Sequence, residues 1–314
     1  MKKNKKNNEI KIVVCIPTFK RPIFLKQCLY SLLKQNFKYN FEIIVVDNDI
    51  NKSAKKVVEK INNKKISYYL EKNKGISIVR NKCVEICKNK KINFMIFIDD
   101  DEFADKNWIA NLFSTSQRNK AKVVTGPALC KFEDSIPEWI EYVYFIRPRN
   151  ETDQKMKTSA TNNVLIDMRV FDFFNNKPFN EGFNLMCGED VDFFNRVNKL
   201  NIDIVWCDEA IVYENITTDR SNFRNCILRT FNEGNSYYHR MKIQNISIMK
   251  ILLKFINAIF RIIIFIIQIL LHTILFQTKI IKFHKRIYRL IHKIGFLSGA
   301  LGYKNKEYQI TYGN

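Results

Sequence analysis

Between residues 10 and 120 the chain alternates short apolar runs with amphipathic segments. Residues 10–16 are a β-rich run that closes on Pro17-Thr18; residues 22–35 then place Phe24, Leu25, Cys28, Leu29, Leu32 and Leu33 at helical spacing. The unit repeats. Residues 41–46 form an apolar strand ending in Asp47-Asn48-Asp49, with 53–61 as its crossover helix. Residues 66–70 make a third strand, followed by Lys72-Asn73-Lys74-Gly75 and a helix over 77–87. The run Phe94-Met95-Ile96-Phe97-Ile98 has no helical period and stops abruptly at Asp99-Asp100-Asp101-Glu102, as a strand buried on both faces does. Strands alternating with helices predict an α/β fold, a mostly parallel doubly wound sheet with helices on both faces. Beyond a helix over 108–117 and one strand over 121–129 the alternation stops. Residues 131–157 are loop-rich and aromatic, 158–166 lead into another strand, and Gly188-Glu189-Asp190 opens a helix with Phe193, Phe194 and Val197 on its apolar stripe.

In a parallel sheet the ends carrying Thr18, Asp47 and the Asp99 cluster lie on one side, the rim where such sheets bind ligands. If the acidic stretch stays extended, Asp99 and Asp101 face one way and Asp100 the other. Four adjacent acids repel one another unless something compensates them, and hard oxygen donors suit Mg²⁺ or Mn²⁺. The plain alternatives are a solvated acidic turn at 99–102 and a turn aspartate at 47. Glu189 and Asp190 also admit two roles: stabilising a helix N-terminus, or supplying an ionised general base. No Gly-x-Gly-x-x-Gly follows the first strand and no Gly-x-x-x-x-Gly-Lys-Ser/Thr occurs, which disfavours a dinucleotide fold and a P-loop.

Composition changes this picture in one place. The formal charge of +21 on 314 residues fits an anionic membrane, an anionic substrate or nucleic acid, and most of it is spread evenly through a Lys-, Asn- and Ile-rich chain. Yet no acidic residue lies between Glu233 and Glu307, while Lys and Arg recur throughout. Within residues 246–276, apolar positions are interrupted by Lys250, Lys254, Asn257, Arg261, Gln268 and His272, which share one narrow helical stripe. The longest uninterrupted apolar run, 262–267, is far shorter than the roughly 20 residues of a span. The expectation is a helix lying in the interface of an anionic membrane, with Lys279, Lys282, Lys285, Arg286, Arg289 and Lys293 toward lipid headgroups; a single transmembrane helix is the alternative. Eight scattered cysteines without zinc spacing suggest reduced core thiols. The basic N-terminus precedes too short an apolar run for a signal peptide, so the expected location is cytoplasmic, peripheral on the inner face of the membrane.

The segments Cys15-Ile16-Pro17-Thr18-Phe19-Lys20-Arg21-Pro22, Val45-Val46-Asp47-Asn48-Asp49, Gly75-Ile76 with Arg80-Asn81, Phe97-Ile98-Asp99-Asp100-Asp101-Glu102, Thr161-Asn162-Asn163-Val164-Leu165 and Gly188-Glu189-Asp190-Val191-Asp192-Phe193-Phe194 come in a telling order and spacing. Together they resemble the inverting family 2 glycosyltransferases of GT-A fold. With Val212-Tyr213-Glu214 and Arg220 downstream, they resemble the subgroup that includes succinoglycan-type exopolysaccharide transferases. The resemblance covers residues 13 to about 238. It implies a catalytic domain over 1–240, with a nucleotide-binding half over 10–120 and an acceptor half over 121–240, leaving 241–314 as a basic membrane-association region. It implies a nucleotide-sugar donor, a divalent cation and a glycan or glycolipid acceptor in cell-surface polysaccharide synthesis.

Carried over by residue, Thr18 and Asp47 would hold the base, Arg80 the diphosphate, Asp99 the ribose side of the cation and Asp101 the cation itself. Asp190, with Glu189 beside it, would be the catalytic base. Asn162 and Asn163 would line the sugar region and Arg220 would be a second diphosphate contact. Trp139 is an aromatic that either stacks on a sugar there or packs internally. Glu214 stands where many relatives have a metal-binding His, which leaves its part in the cation site open. A non-catalytic relative or a nucleotidyltransferase is the competing class. Retained acids at Asp99, Asp101 and Asp190 argue against a bare polyanion-binding surface, and hence against nucleic acid as a partner.

Overall fold

The computed structural model describes residues 10–304 apart from 148, 185, 187 and 275–278. The basic run at the N-terminus, Cys187 of the acidic motif and residues 305–314 lie outside the described residues.

The strands are β1 Ile12–Thr18, β2 Phe41–Asp47, β3 Ile66–Leu70, β4 Phe94–Ile98, β5 Glu102–Ala104, β6 Val123–Thr125, β7 Ala128–Phe132, β8 Lys155–Met156, β9 Asn163–Asp167, β10 Ile204–Trp206 and β11 Val212–Ile216. The helices are α1 Pro22–Leu33, α2 Lys55–Ile61, α3 Ile76–Asn89, α4 Trp108–Asn119, α5 Glu138–Tyr144, α6 Glu189–Lys199, α7 Thr218–Ser221, α8 Phe223–Ile243, α9 Ile248–Ile274 and α10 Ile280–Ala300. Eight strands form one sheet in the order β3-β2-β1-β4-β9-β6-β10-β8; β5, β11 and β7 form a second. The large sheet is mostly parallel, as expected, but β9 runs antiparallel between β4 and β6, and β8 antiparallel on β10.

Side-chain alternation along β1 sends Ile12, Val14 and Ile16 into a core shared with α1, α2 and α4, and Val13 and Cys15 into another shared with α3 and α6. Both faces are covered, which is why the central strands read as continuous apolar runs. The described cysteines are free thiols, most of them buried.

The single strand expected over 121–129 is two strands in different sheets. Gly126-Pro127 divides them, and a Cβ at Gly126 would sit 2.4 Å from the Ala210 carbonyl oxygen, so only glycine lets the chain turn there. The chain crosses from the large sheet to the small one three times: at 99–101 after β4, at 126–127 after β6 and at 207–211 after β10. The crossings are hydrogen-bonded together. The amide of Val212 donates to Pro127 O (3.1 Å), that of Cys207 to Thr125 O (2.8 Å) and that of Asn215 to Asp101 O (2.9 Å).

The C-terminal helices pack onto this body. Helix α8 continues past residue 240, and α10 crosses it at backbone contact: a Cβ at Gly234 would lie 2.0 Å from His292 O, and one at Gly295 2.0 Å from Phe231 O. Trp139 of α5 stacks on His284 of α10, with centroids 3.6 Å apart and planes 13° apart. It therefore packs internally rather than presenting a free sugar platform.

The polar stripe of α9 runs along the edge of its packed face: Lys250, Lys254, Asn257 and Arg261 are exposed, and His272 is buried. Lys254 donates to Tyr237 Oη (2.6 Å), and Arg286 of α10 donates to Gln268 O (3.3 Å) beside the buried His272. The face opposite the packed one is apolar, including Ile256, Phe260, Ile263, Ile267 and Leu270. The Lys254 side chain and the Gln268 carbonyl find their partners on α8 and α10. Among the described residues α9 is also the one helix that is, by length and composition, long and apolar enough to cross a membrane.

Candidate active site

The acidic stretch sits where β4 ends. The strand stops at Ile98 and residues 99–101 turn, so the alternation expected of an extended segment is absent. Asp100 and Asp101 share a cation instead. Arg21 Nη1 lies 3.1 Å from Asp100 Oδ1 and 2.9 Å from Asp101 Oδ2, and Thr18 Oγ1 donates to Asp100 Oδ2 (2.7 Å). Asp99 points elsewhere, 3.6 Å from Arg80 Nη2, with its side chain 37% exposed. Arg220, just past β11, donates to Asp101 (3.0 Å) and to Glu214 (2.6 Å), and Arg147 holds the other oxygen of Glu214 (2.6 Å).

Glu102 and Glu214 stand directly opposite in the β5–β11 ladder. Two like charges there repel, and the surroundings separate them. Burial opposes ionisation of Glu214, but Arg220 and Arg147 hold it down at about 2. Burial, with Asp99 and Glu214 nearby, pushes Glu102 well up; its oxygens accept from the Asp99 amide (3.2 Å) and Asn162 Nδ2 (2.7 Å). Asp99 is pushed up to about 7, first by burial and then by Asp101 and Asp100, with Arg80 pulling the other way.

Six carboxyl groups (Asp99, Asp100, Asp101, Glu102, Glu189, Glu214) thus meet four guanidiniums (Arg21, Arg80, Arg147, Arg220), an excess of two negative charges. The upward shifts of Asp99 and Glu102 run in the direction that relieves it. One divalent cation would relieve it equally well, and in that respect the donor set fits Mg²⁺ or Mn²⁺. Among the described residues no three His, Cys, Asp or Glu side chains converge at ligand spacing, so the protein would supply one or two ligands and leave the rest to phosphate and water.

A pH dependence follows. A carboxyl with a raised folded pKa keeps its proton in the native state after the unfolded chain has lost it, so stability falls as pH rises from about 4, the unfolded aspartate value, to about 7. Solvent at the partly exposed Asp99 screens part of this. The depressed Glu214 acts oppositely and only below its unfolded value near 4.5, its contribution being lost toward about 2. In chelator, the thermal midpoint should fall steadily from about pH 5 to about pH 7; a midpoint that rises over that interval contradicts the excess of negative charge.

At the start of α6 the two adjacent acids are held differently. Glu189 is buried, contacts Arg80 Nη1 and accepts from the Gly188 amide (3.0 Å); burial pushes its pKa up. Asp190 is half-buried and, among the described residues, accepts from the Val191 amide (2.6 Å). Arg80 therefore joins the two acidic centres, touching Asp99 at the strand end and Glu189 at the helix start. Gly75 opens α3, which carries Arg80, at φ +153°; a Cβ there would collide with Asn184.

The remaining expected residues are positioned as follows. Asp47 is fully enclosed, accepting from the amides of Asp49 and Ala54 (both 3.0 Å) and from Tyr68 Oη (3.1 Å), so its carboxylate ties the 47–54 turn. Asn162 reaches the acidic centre through Glu102, whereas Asn163 is a buried latch: its Nδ2 donates to Pro127 O and Ala210 O, and its Oδ1 accepts from Trp108 Nε1. Arg21 and Arg147 join the site without having been singled out for it. Arg21 was visible only as the residue before Pro22, and nothing in the aromatic loop marks Arg147.

The comparisons with known proteins bear on this geometry. Residues 13–181, more than half of the chain, match the family model described as Glycosyl transferase family 2. The chain belongs to that family. Succinoglycan biosynthesis protein ExoM of Rhizobium meliloti is 27% identical over 241 residues, 74% of this chain and 75% of ExoM. Chondroitin synthase of Pasteurella multocida is 25% identical over 278 residues; the match covers 74% of this chain but only 28% of that protein. Among solved structures, residues 1–349 of S. aureus TarS in complex with UDP superpose with a TM-score of 0.52 at 20% identity, over 72% of this chain and 66% of that one. That likeness establishes the GT-A fold. In this family 2 glycosyltransferase, Asp99 and Glu189 both contact Arg80.

Proposed function

We propose that this glycosyltransferase moves a sugar, with inversion, from a nucleotide-sugar to a hydroxyl of a lipid-linked glycan at the inner face of the membrane, in polysaccharide synthesis. The observation that carries the reading is Arg80. One guanidinium contacts both Asp99, beside the expected leaving group, and Glu189, next to the expected base. The site that releases a diphosphate and the site that activates an acceptor are then one arginine apart.

Asp190 takes the proton from the acceptor hydroxyl as its oxygen bonds to the anomeric carbon and the bond from that carbon to the diphosphate oxygen breaks. Its place in the first turn of α6, with Glu189 tied to Arg80, leaves it the open carboxylate of the pair. Asp101 and Asp99 would hold the divalent cation, which when bound supplies positive charge to the departing diphosphate. Arg80 and Arg220 flank that diphosphate. Thr18 and the 47–54 turn tied by Asp47 frame the base, and Asn162 positions Glu102 at the sugar end. The neighbour's complexes with UDP and UDP-GlcNAc support a nucleotide-sugar donor. ExoM, named for succinoglycan biosynthesis, supports a polysaccharide product. The outward apolar face of α9 supports a membrane-bound acceptor.

Calorimetry with a panel of nucleoside diphosphates tests the donor site. Binding of the preferred one should require Mn²⁺ or Mg²⁺ and should be lost with chelator and in Asp101→Ala. Equal affinity in all three conditions refutes the cation assignment.

A further inference from the structure

Two grooves of about 320 and 300 Å³ open on either side of Tyr237, where α8, α9 and α10 meet. The first combines Arg240, Lys250 and Lys254 with Met241, Ile246 and Leu253; the second continues past Lys254 to Lys293 over Phe296. Cations line an apolar floor. Their present partners are aromatic: Lys254 Nζ donates to Tyr237 Oη (2.6 Å), and the Arg240 guanidinium lies 5.3 Å from the centre of the Tyr237 ring. Neither α9 nor α10 carries an acidic residue, so the positive charge is not cancelled from those elements.

The inner end of the first groove, at Arg240 and Gln244, adjoins the start of α6. A Cβ at Gly188, directly before Glu189-Asp190, would lie 3.0 Å from Arg240 Nη1, and Gln244 Nε2 donates to Asp192 Oδ1 of α6 (3.2 Å). The outer end opens along α9, where Leu253 and its apolar neighbours are exposed. Arg240 stands at the inner end and Lys250 and Lys254 stand beside Leu253 on α9, so cations run along the apolar floor. Cations over an apolar floor match a molecule with an anionic head and one long chain.

We infer that the grooves beside Tyr237 bind the phosphate or diphosphate head of a single-chain amphiphile, with Arg240, Lys250 and Lys254 on the head and the chain laid along Met241, Ile246 and Leu253. This deepens the proposed function, on which it rests, by naming where the lipid-linked acceptor is gripped. The glycan attached to that head is thereby directed past Gly188 toward Asp190. Free phosphate would satisfy the cations but not the apolar floor, and a two-chain phospholipid would satisfy both in bulk, so the test separates these sources.

The full-length protein in detergent is titrated with dodecyl phosphate, with inorganic pyrophosphate and with phosphatidylglycerol vesicles as competitor. In parallel, the Lys250→Gln/Lys254→Gln protein is measured, with circular dichroism to confirm that it is folded. Dodecyl phosphate should bind wild-type protein at least tenfold more tightly than pyrophosphate. The double substitution should weaken it about 25-fold, from about fivefold per cation removed, while nucleoside diphosphate affinity stays unchanged. Equal dodecyl phosphate affinity in both proteins, pyrophosphate binding as tight as dodecyl phosphate, or full displacement by phosphatidylglycerol at equal phosphate concentration each overturns the inference. Loss of the nucleoside diphosphate signal in wild-type protein would instead refute the transferase reading, and the groove result would remain separately legible.

Discussion

Asp190→Asn should lower turnover several hundred-fold or more while leaving nucleoside diphosphate affinity near wild-type, because the amide keeps the shape but cannot accept the acceptor's proton. That loss lies in the general-base range of about 10²–10⁴. The neighbouring substitution should behave differently. Glu189 is buried against Arg80 and the Gly188 amide, so Glu189→Gln removes a charge that holds Arg80 in place. It should weaken donor binding together with turnover. Steady-state kinetics with a calorimetric donor titration separates the two. An active Asp190→Asn beside a dead Glu189→Gln that still binds donor would mean that the base is Glu189.

The second large effect is on folding. Gly295→Val places a branched side chain where a Cβ already falls 2.0 Å from the Phe231 carbonyl oxygen. Backbone cannot yield there as a flexible side chain does, so α10 must lift from α8. The cost should reach about 3 kcal/mol, the upper part of the overpacking range, or a fall of about 6–12 °C in thermal midpoint. Lys285→Ala, on the exposed side of α10, should stay within about 0.5 kcal/mol of wild-type. Unchanged midpoints in both would show that α10 does not rest on α8. For the same reason, truncation ahead of Met241 should destabilise the catalytic body rather than simply release a soluble enzyme, since it uncovers the α8 face on which α10 rests.

Much of this was legible along the chain. The strands bearing Thr18, Asp47 and Asp99 announce themselves because burial on both faces demands unbroken apolar runs, and a parallel sheet gathers their ends without further information. That the strand-end acids and Glu189-Asp190 share a site was implied only by the family resemblance; Arg80, which touches Asp99 and Glu189, is the contact that links them. What was not legible depends on partners distant in sequence. Arg21 meets Asp100 across 79 residues and Arg147 meets Glu214 across 67, and no local pattern marks either. The stripe on α9 was visible, but the helix packing along its edge was not, because Tyr237 and Arg286, which meet it there, lie on other helices. Gly126-Pro127 was legible as a turn signal, yet the apolar residues on both sides hid it within one run.

The three crossings between the sheets have a consequence for how substitutions are felt. They form a crease along which the domain is folded, and Asp99–Asp101 are one of its three stitches. Gly126 packs against Ala210, Val212 is hydrogen-bonded to Pro127 and Asn215 to Asp101, and the Asn163 amide ties Pro127 to Ala210, so a displacement at any stitch is handed to the others through backbone and the one buried amide. Tolerance to change in this half of the domain is therefore graded by distance from the crease, and a residue remote from every carboxylate can still govern where they stand.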